Sequence, residues 1–447
     1  MSTNKPNVIL VMTDDQGWGD TSYNGHPILQ TPNLDRMAQD GISFDRFYSA
    51  APVCSPTRGS CLTGRHPYRY GIYFANVGHL PPEEITLAEA LRPMGYTTGH
   101  FGKWHLGTLT KDMEDGRRGG RQNEHYAPPW DNGFDECFST EIAMPTWDPM
   151  RDQRFPSKYW VGPNEWATEN LEGDDSRVIM DRAVPFIRNA SEQNQPFFAV
   201  IWFHSPHEPV RAGDRYRELY KECSEDEQHY YGCITAMDEQ IGRLRNELES
   251  LGVADNTMLW FCSDNGPAGE GGGTAQHPGG RQQGVSGPFR GRKGSLYEGG
   301  VRVPSLLVWP EQIQTGRTVD KPCSTSDYFP TILEILGYTL DSKPEPLDGE
   351  SLMPLIEGRS FERSHAIGFE SQYQISLVSE RYKLYSADQG QSCELYDLLT
   401  DKEETNDLAD KYPEIVREMS EELKYWRISL RESQKGKNIP PCDPVDG

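Results

Sequence analysis

The residues with the most chemical potential lie in Val53-Cys54-Ser55-Pro56-Thr57-Arg58-Gly59-Ser60-Cys61-Leu62-Thr63-Gly64-Arg65. Ala51-Pro52 turns the chain into Cys54. Ser55-Pro56 then predicts a helix start, with Ser55 as cap and Pro56 in the first turn. Cys54 would stand at a helix N-terminus, where unpaired N–H groups favour an anion. Arg58, about one turn further on, can aim a rigid fork of donors at the same place. A thiol, a positive helix end and a guanidinium suit a substrate that carries an oxyanion. For an arbitrary C-x-P-x-R, a buried Cys with an Arg on the surface would be the plainer reading, so the rest of the chain must decide.

The elements that could position a partner for Cys54 are short, continuous apolar runs typical of buried parallel strands. Asn7 to Thr13 is one, and it ends at Asp14-Asp15. Tyr96 to Phe101 leads to Gly102-Lys103-Trp104-His105-Leu106-Gly107, a Gly-bracketed turn with two basic groups. Pro196 to Phe203 ends at His204-Ser205-Pro206-His207, and Thr257 to Cys262 at Ser263-Asp264-Asn265-Gly266. Ligands gather at the carboxyl ends of strands in open α/β sheets, and adjacent buried carboxylates are costly without a compensating cation. An acidic turn, a surface Lys or a packed His each has an ordinary explanation; the recurrence at successive strand ends does not. Asp14, Asp15, Asp264 and Asn265 offer only oxygen, which selects a hard cation such as Ca²⁺ or Mg²⁺ over zinc.

Helices are expected over Val178 to Asn189, Gln228 to Leu251 and Ser326 to Leu336. From Lys111 to about Asn170 periodicity fails. That stretch carries Arg117, Arg118, Arg121 and Trp130, Trp147, Trp160 and Trp166, which reads as binding loops. Pro267 to Arg292, with Arg281, Arg290 and Arg292, reads as a Gly-rich rim loop before Lys293 and the strand Val303 to Trp309. Past residue 360 the pattern changes to short antiparallel strands and a helix at Ile415 to Leu430. The expected architecture is α/β. A large, mostly parallel sheet flanked by helices fills residues 1–360, and a smaller antiparallel sheet with one helix fills 361–447.

Taken together and in order, the motifs resemble those of the formylglycine-dependent sulfatases of the alkaline phosphatase superfamily. They are Asp14-Asp15, Cys54 to Arg58 with Leu62-Thr63-Gly64, Gly102 to Gly107, Pro206-His207-Glu208-Pro209, Ser263 to Gly266 and Lys293 to Arg302. The resemblance is nearest to arylsulfatases and N-acetylgalactosamine-6-sulfatases. It implies that Cys54 is oxidised to formylglycine by a formylglycine-generating or anaerobic sulfatase-maturating enzyme. It carries the metal ligands onto Asp14, Asp15, Asp264 and Asn265, completed by the residue at Cys54. It carries sulfate binding and proton transfer onto Arg58, Lys103, His105, His207 and Lys293. The implied reaction is attack of the hydrated aldehyde on sulfur, protonation of the leaving oxygen by His207 or Lys293, and deprotonation of the second hydroxyl by His105. His204 has no firm counterpart in the family and reads as a core residue or one that supports the site from behind; with Trp147, Arg281 and Arg292 it is also a candidate for substrate contact. The implied substrate is a sulfated carbohydrate. A phosphonate or phosphodiester hydrolase and an unmatured sulfated-glycan-binding protein are the rival readings.

The 447 residues are 35% hydrophobic and 25% charged, which suits a folded core rather than disorder. A net charge of −24 argues against nucleic acid and anionic membranes as partners, and means that an anionic substrate needs a local basic pocket. The nine cysteines show no C-x-x-C pair and no dense disulfide spacing, so they leave the compartment open. Met1 to Pro6 lacks the apolar stretch of a signal peptide. A polysaccharide-degrading role nonetheless favours a periplasmic or secreted location over the cytoplasm, and no apolar run is long enough to span a membrane.

Overall fold

A computed structural model describes residues 5–116, 123–151, 153, 155–269, 281, 283–338 and 346–435. The main sheet contains β1 (Asn7–Thr13), β2 (Ile42–Phe44), β3 (Thr97–Lys103), β4 (Glu136–Thr140), β5 (Trp160–Gly162), β6 (Glu165–Trp166), β7 (Phe197–Trp202), β8 (Thr257–Ser263), β9 (Ser305–Val308) and β10 (Arg317–Val319). Their spatial order is β10-β2-β9-β8-β1-β7-β3-β4-β5-β6. The consecutive strands β8, β1, β7, β3 and β4 are all parallel. This accounts for the continuous apolar runs: every residue of β1, β7 and β8 is buried, because helices cover both faces.

Alternate residues of β1 go to opposite layers. Val8, Leu10 and Met12 join the core beneath the Cys54 helix, with Leu62 and Phe329. Ile9 and Val11 join the core beneath the helices Asp175–Glu192 and Glu225–Ser250. Register then fixes which polar residues meet. Thr13 lies opposite Ser263, Met12 opposite Trp202, and Gly102 opposite Trp202. The residues that follow these strands, from Asp14, Asp264, Lys103 and His204 onward, therefore emerge together at one edge.

One expectation is corrected here. The stretch from Lys111 to Asn170 is not irregular throughout, since it holds β4, which extends the parallel block, and the β5–β6 pair. Glu136-Cys137-Phe138-Ser139-Thr140 is too short and too polar to stand out against its Gly- and Pro-rich surroundings. Arg117, Arg118 and Arg121 lie outside the described residues, as does the centre of the 267–292 loop.

The C-terminal region forms an antiparallel sheet of β11 (Ile367–Ser371), β12 (Gln374–Val378), β13 (Tyr382–Ser386) and β14 (Glu394–Asp397), covered by the helix Pro413–Gln434. The first of these strands was not anticipated. Its Gly368 lies so close to the Trp426 ring that a Cβ would stand 2.5 Å from it, so a residue that weakens strand propensity is needed for packing. This sheet shares a core with the main body, where Tyr48, Leu296 and Val301 pack with Phe369, Val378 and Tyr385. Among the described residues, no helix is long and apolar enough to cross a membrane.

Candidate active site

The helix Cys54–Thr63 begins two residues earlier than its sequence predicts. Val53 is the N-cap, in extended conformation and without a side-chain cap bond. Ser55 is therefore not the cap; its hydroxyl accepts from the Asn76 N–H at 3.3 Å. Ser55 and Pro56 fit inside the first turn because N–H groups there need no helical partner. Cys54 accordingly starts the helix at its positive end, 2% exposed, and points toward the strand ends. Ligand atoms of Asp14, Asp15, Cys54 and His207 all lie within 4.8 Å of one another.

Around this point the charges interlock. Lys103 donates to Asp14 at 2.7 Å, and Arg58 to Asp264 at 2.7 Å and to the Lys103 carbonyl at 3.1 Å. The Arg58 guanidinium also lies 5.2 Å from the centre of the Trp202 ring, so a fully buried cation is held by an aromatic ring as well as by its hydrogen-bond acceptors. Lys293 donates to both oxygens of Asp15, at 2.6 and 2.8 Å, and Asn265 Nδ2 donates to Asp15 at 2.8 Å. The Asp15 N–H closes the ring by donating to Asp264 at 3.0 Å. Three backbones here are left-handed: Asp15 at φ 66°, Asn76 at φ 65° and His105 at φ 58°. His105 Nε2 meets Asn76 Oδ1 at 2.7 Å, which orients the imidazole beside the basin.

Burial sets the titration behaviour. It pushes Asp264 up to about 6, with the neighbouring Asp14 charge adding to the rise and Arg58 opposing it. At Asp15 burial also acts upward, but Lys293, His207 and Lys103 outweigh it and hold the carboxyl well below its usual range. Burial raises the Cys54 thiol despite Lys103 and Lys293 nearby, so the unmodified side chain is a weak nucleophile near neutral pH. His207 is held well below the usual imidazole value by burial. Its Nδ1–H donates to the Glu208 carbonyl at 2.7 Å, which leaves Nε2 facing Asp15 at 3.6 Å.

A sulfatase family model matches residues 6–338, about three quarters of the chain. The chain belongs to the sulfatase family. It is thereby a sulfuric ester hydrolase. A second model, for the C-terminal region of N-sulphoglucosamine sulphohydrolase, matches residues 291–429. N-acetylgalactosamine-6-sulfatase of Homo sapiens is 34% identical over 383 residues, covering 80% of this chain and 67% of that protein. The solved structure of Ps i-CgsB in complex with k-i-k-neocarrahexaose aligns with TM-score 0.81 at 25% identity, over 97% of this chain and 98% of that one. A structure described with the metabolism of multiple glycosaminoglycans by Bacteroides thetaiotaomicron aligns with TM-score 0.76 at 25% identity, over 95% of this chain and 100% of that one.

Membership in the sulfatases implies a metal ion, and the residues fit one. Among the described residues, Asp14 Oδ1 and Asn265 Oδ1 are buried and have no hydrogen-bond partner. Orphaned acceptors of this kind, beside Asp15 and Asp264, are what an oxygen-liganded cation would satisfy.

Not every candidate residue belongs to the sulfatase basin. His204 does not reach it: the ring is fully buried, with Nδ1 bonded to Asp175 and Nε2 to Thr140, at 2.7 and 2.8 Å. Two residues past β7, it falls back under the sheet edge, whereas His207 comes forward. Trp147 packs over Gly213, whose Cβ would stand 2.3 Å from the ring. Arg281 pairs with Glu225 and Asp226 at 3.5 and 3.2 Å, and Arg292 donates to the Ala268 and Gly284 carbonyls. These three brace the rim. The basin between His105 and His207 is walled instead by Asn76, Ile142, Met144, Phe155 and Glu208. Asn76 had no local signal except an Asn in a Gly-bearing turn, where left-handed backbone is tolerated.

Proposed function

We propose that this chain removes sulfate from a sulfated carbohydrate, using a formylglycine made from Cys54 beside a Ca²⁺ held by Asp14, Asp15, Asp264 and Asn265. The observation that carries the reading is the convergence of four strand ends on the start of one helix, with Asp14, Asp15, Cys54 and His207 within 4.8 Å of one another. The carbohydrate part is supported by N-acetylgalactosamine-6-sulfatase and by the neocarrahexaose complex of Ps i-CgsB. Ca²⁺ is favoured over a softer ion because the orphaned acceptors are carboxylate and amide oxygens.

When bound, the cation and the hydrated aldehyde supply a fixed positive charge and an oxygen nucleophile, respectively. The chain's own residues do the rest. Asp14, Asp15 and Asp264 face Arg58, Lys103 and Lys293, so the protein charges cancel and keep the pocket viable in a chain of net charge −24. Arg58 is fixed by Asp264 and the Trp202 ring. Lys103 and Lys293, fixed by Asp14 and Asp15, flank the place where sulfate oxygens would sit and stabilise charge developing on them. His207 Nε2 faces the basin without a proton in the neutral ring, since Nδ1–H is spent on the Glu208 carbonyl, so the Lys293 ammonium is the standing proton donor for the leaving sugar oxygen and His207 serves only when protonated. His105, held by Asn76 on the other side, is positioned to take a proton from the residue at position 54.

The test is sulfate release across defined sulfated glycans and aryl sulfates, using protein co-expressed with a maturation enzyme, with mass spectrometry of the Cys54 peptide. Release from at least one glycan, with Cys54 converted, is the expected result. Turnover confined to aryl sulfates would sink the carbohydrate reading, and active enzyme with only intact thiol would sink the formylglycine reading.

A further inference from the structure

Lys293 enters the basin from a turn that the C-terminal sheet holds in place. Its N–H donates to the Pro267 carbonyl at 3.1 Å while its ammonium reaches Asp15. Gly294 follows in left-handed conformation, at φ 89°, and its N–H donates to the carbonyl of Pro52, two residues before Cys54, at 2.9 Å. The same short turn thus touches both the lysine and the chain that enters the nucleophile position.

Across this turn lies Gln374, the first residue of β12. Its Nε2 donates to the Gly294 carbonyl at 2.8 Å, and its Oε1 accepts from the Leu296 N–H at 2.9 Å and the Tyr385 hydroxyl at 3.2 Å. One amide therefore grips a carbonyl and an N–H two residues apart, as a neighbouring strand would, using both its donor and its acceptor. The hairpin tip that carries it is anchored in turn. The Gln372 N–H donates to the Tyr68 hydroxyl at 3.2 Å, and Gln389 Nε2 donates to the Gln372 carbonyl at 2.7 Å.

We propose that Gln374 is a positioning residue for sulfate turnover: by clasping the Gly294–Leu296 turn it sets the reach of Lys293. This rests on the reading of Lys293 as a sulfate-binding cation. A misplacement of about 1 Å in such a group can cost a hundredfold in rate. A residue that only glued the hairpin to the body would instead lower stability without regard to Lys293.

The experiment is a double-mutant cycle in matured enzyme, with thermal unfolding of every variant. Gln374→Met is expected to lower kcat/KM about tenfold or more, chiefly in kcat. The same change in a Lys293→Ala background is expected to cost less than about twofold, because the group it positions has gone. Gln374→Glu keeps the acceptor for Leu296 but can donate to the Gly294 carbonyl only when protonated. Its activity relative to the parent enzyme should therefore rise as pH falls, and this arm stands even if Gln374→Met folds poorly. Equal losses in both backgrounds, undiminished turnover in Gln374→Met, or a Gln374→Glu profile parallel to the parent would each overturn the proposal. Full activity in Lys293→Ala would overturn the reading of Lys293 itself, a failure visible before Gln374 is touched.

Discussion

Two clusters of buried charge flank the segment 293–302. In the first, Glu298 accepts from Tyr48 at 2.9 Å, Arg302 at 3.2 Å and Lys383 at 3.0 Å, while Lys383 also pairs with Glu404 at 2.9 Å. It is sealed between the main body and the C-terminal sheet, with Glu298 and Lys383 both fully buried. In the second, around Cys54, the acids are equally buried, yet among the described residues Asp14 and Asn265 each keep an oxygen with neither a hydrogen-bond nor an ion-pair partner. That cluster also has an open side, because Lys293 and His207 retain 22% and 15% of their side-chain exposure. Both clusters perturb acids: burial lifts Glu404 to about 7 and Asp264 to about 6. Perturbation alone therefore does not mark the chemistry. Acceptors left over beside an opening do.

Mutations can break or sharpen that contrast. Cys54→Ala should lower sulfate release by at least about a thousandfold with little change in unfolding temperature; residual turnover within tenfold of the parent would remove Cys54 from the chemistry. Lys383→Met should do the reverse. It takes the cation from Glu404 and leaves Glu298 with Arg302 and Tyr48 alone in a dry interface, a loss of about 3–5 kcal/mol readable by denaturant unfolding. Asp264→Asn should cut activity about ten- to a hundredfold. It should destabilise the metal-free protein far less than Lys383→Met does, because burial and the Asp14 charge already disfavour the carboxylate and the amide oxygen can still accept from Arg58, which keeps Asp14 at 3.7 Å; a fall in unfolding midpoint as large as that of Lys383→Met would place it with the structural cluster.

The smallest expected effect is one of pH. Asp20 accepts from the Gly17 and Val285 N–H groups and the Tyr230 hydroxyl, and burial lifts its carboxyl from 3.8 to about 7. Between those values the folded chain holds a proton that the unfolded chain has lost. Its contribution to stability therefore falls as pH rises through that window. Asp20→Asn should flatten the difference between unfolding midpoints at about pH 5 and about pH 8; an unchanged difference would assign the slope to other groups.

The strands and their polar exits could be read from the chain because each is a local signal, an apolar run ending in Asp-Asp, Lys-x-His or Asp-Asn. Membership of the site was harder wherever it depended on a turn rather than a run. His204 and His207 share one motif, and only the path of the backbone after β7 sends one inward and the other forward. Trp147, Arg281 and Arg292 have the composition of a sugar-binding rim, but the first two have partners far along the chain at Gly213 and Glu225, and Arg292 is taken up by backbone carbonyls at Ala268 and Gly284. Asn76 and Gln374 carry no local signal for the same reason: each acts through long-range contacts that no spacing encodes.

The left-handed backbones at Asp15 and His105 carry an evolutionary consequence. A residue with a Cβ pays roughly 1–2 kcal/mol to stand there, and glycine does not. Laboratory selection of this chain for heat resistance alone would gain backbone comfort by admitting glycine at position 105, trading away a proton acceptor for it. At position 15 the trade is blocked, because losing the carboxylate would strand the Lys293 ammonium. Survivors of such a selection should thus be inactive by way of one strand exit and not the other.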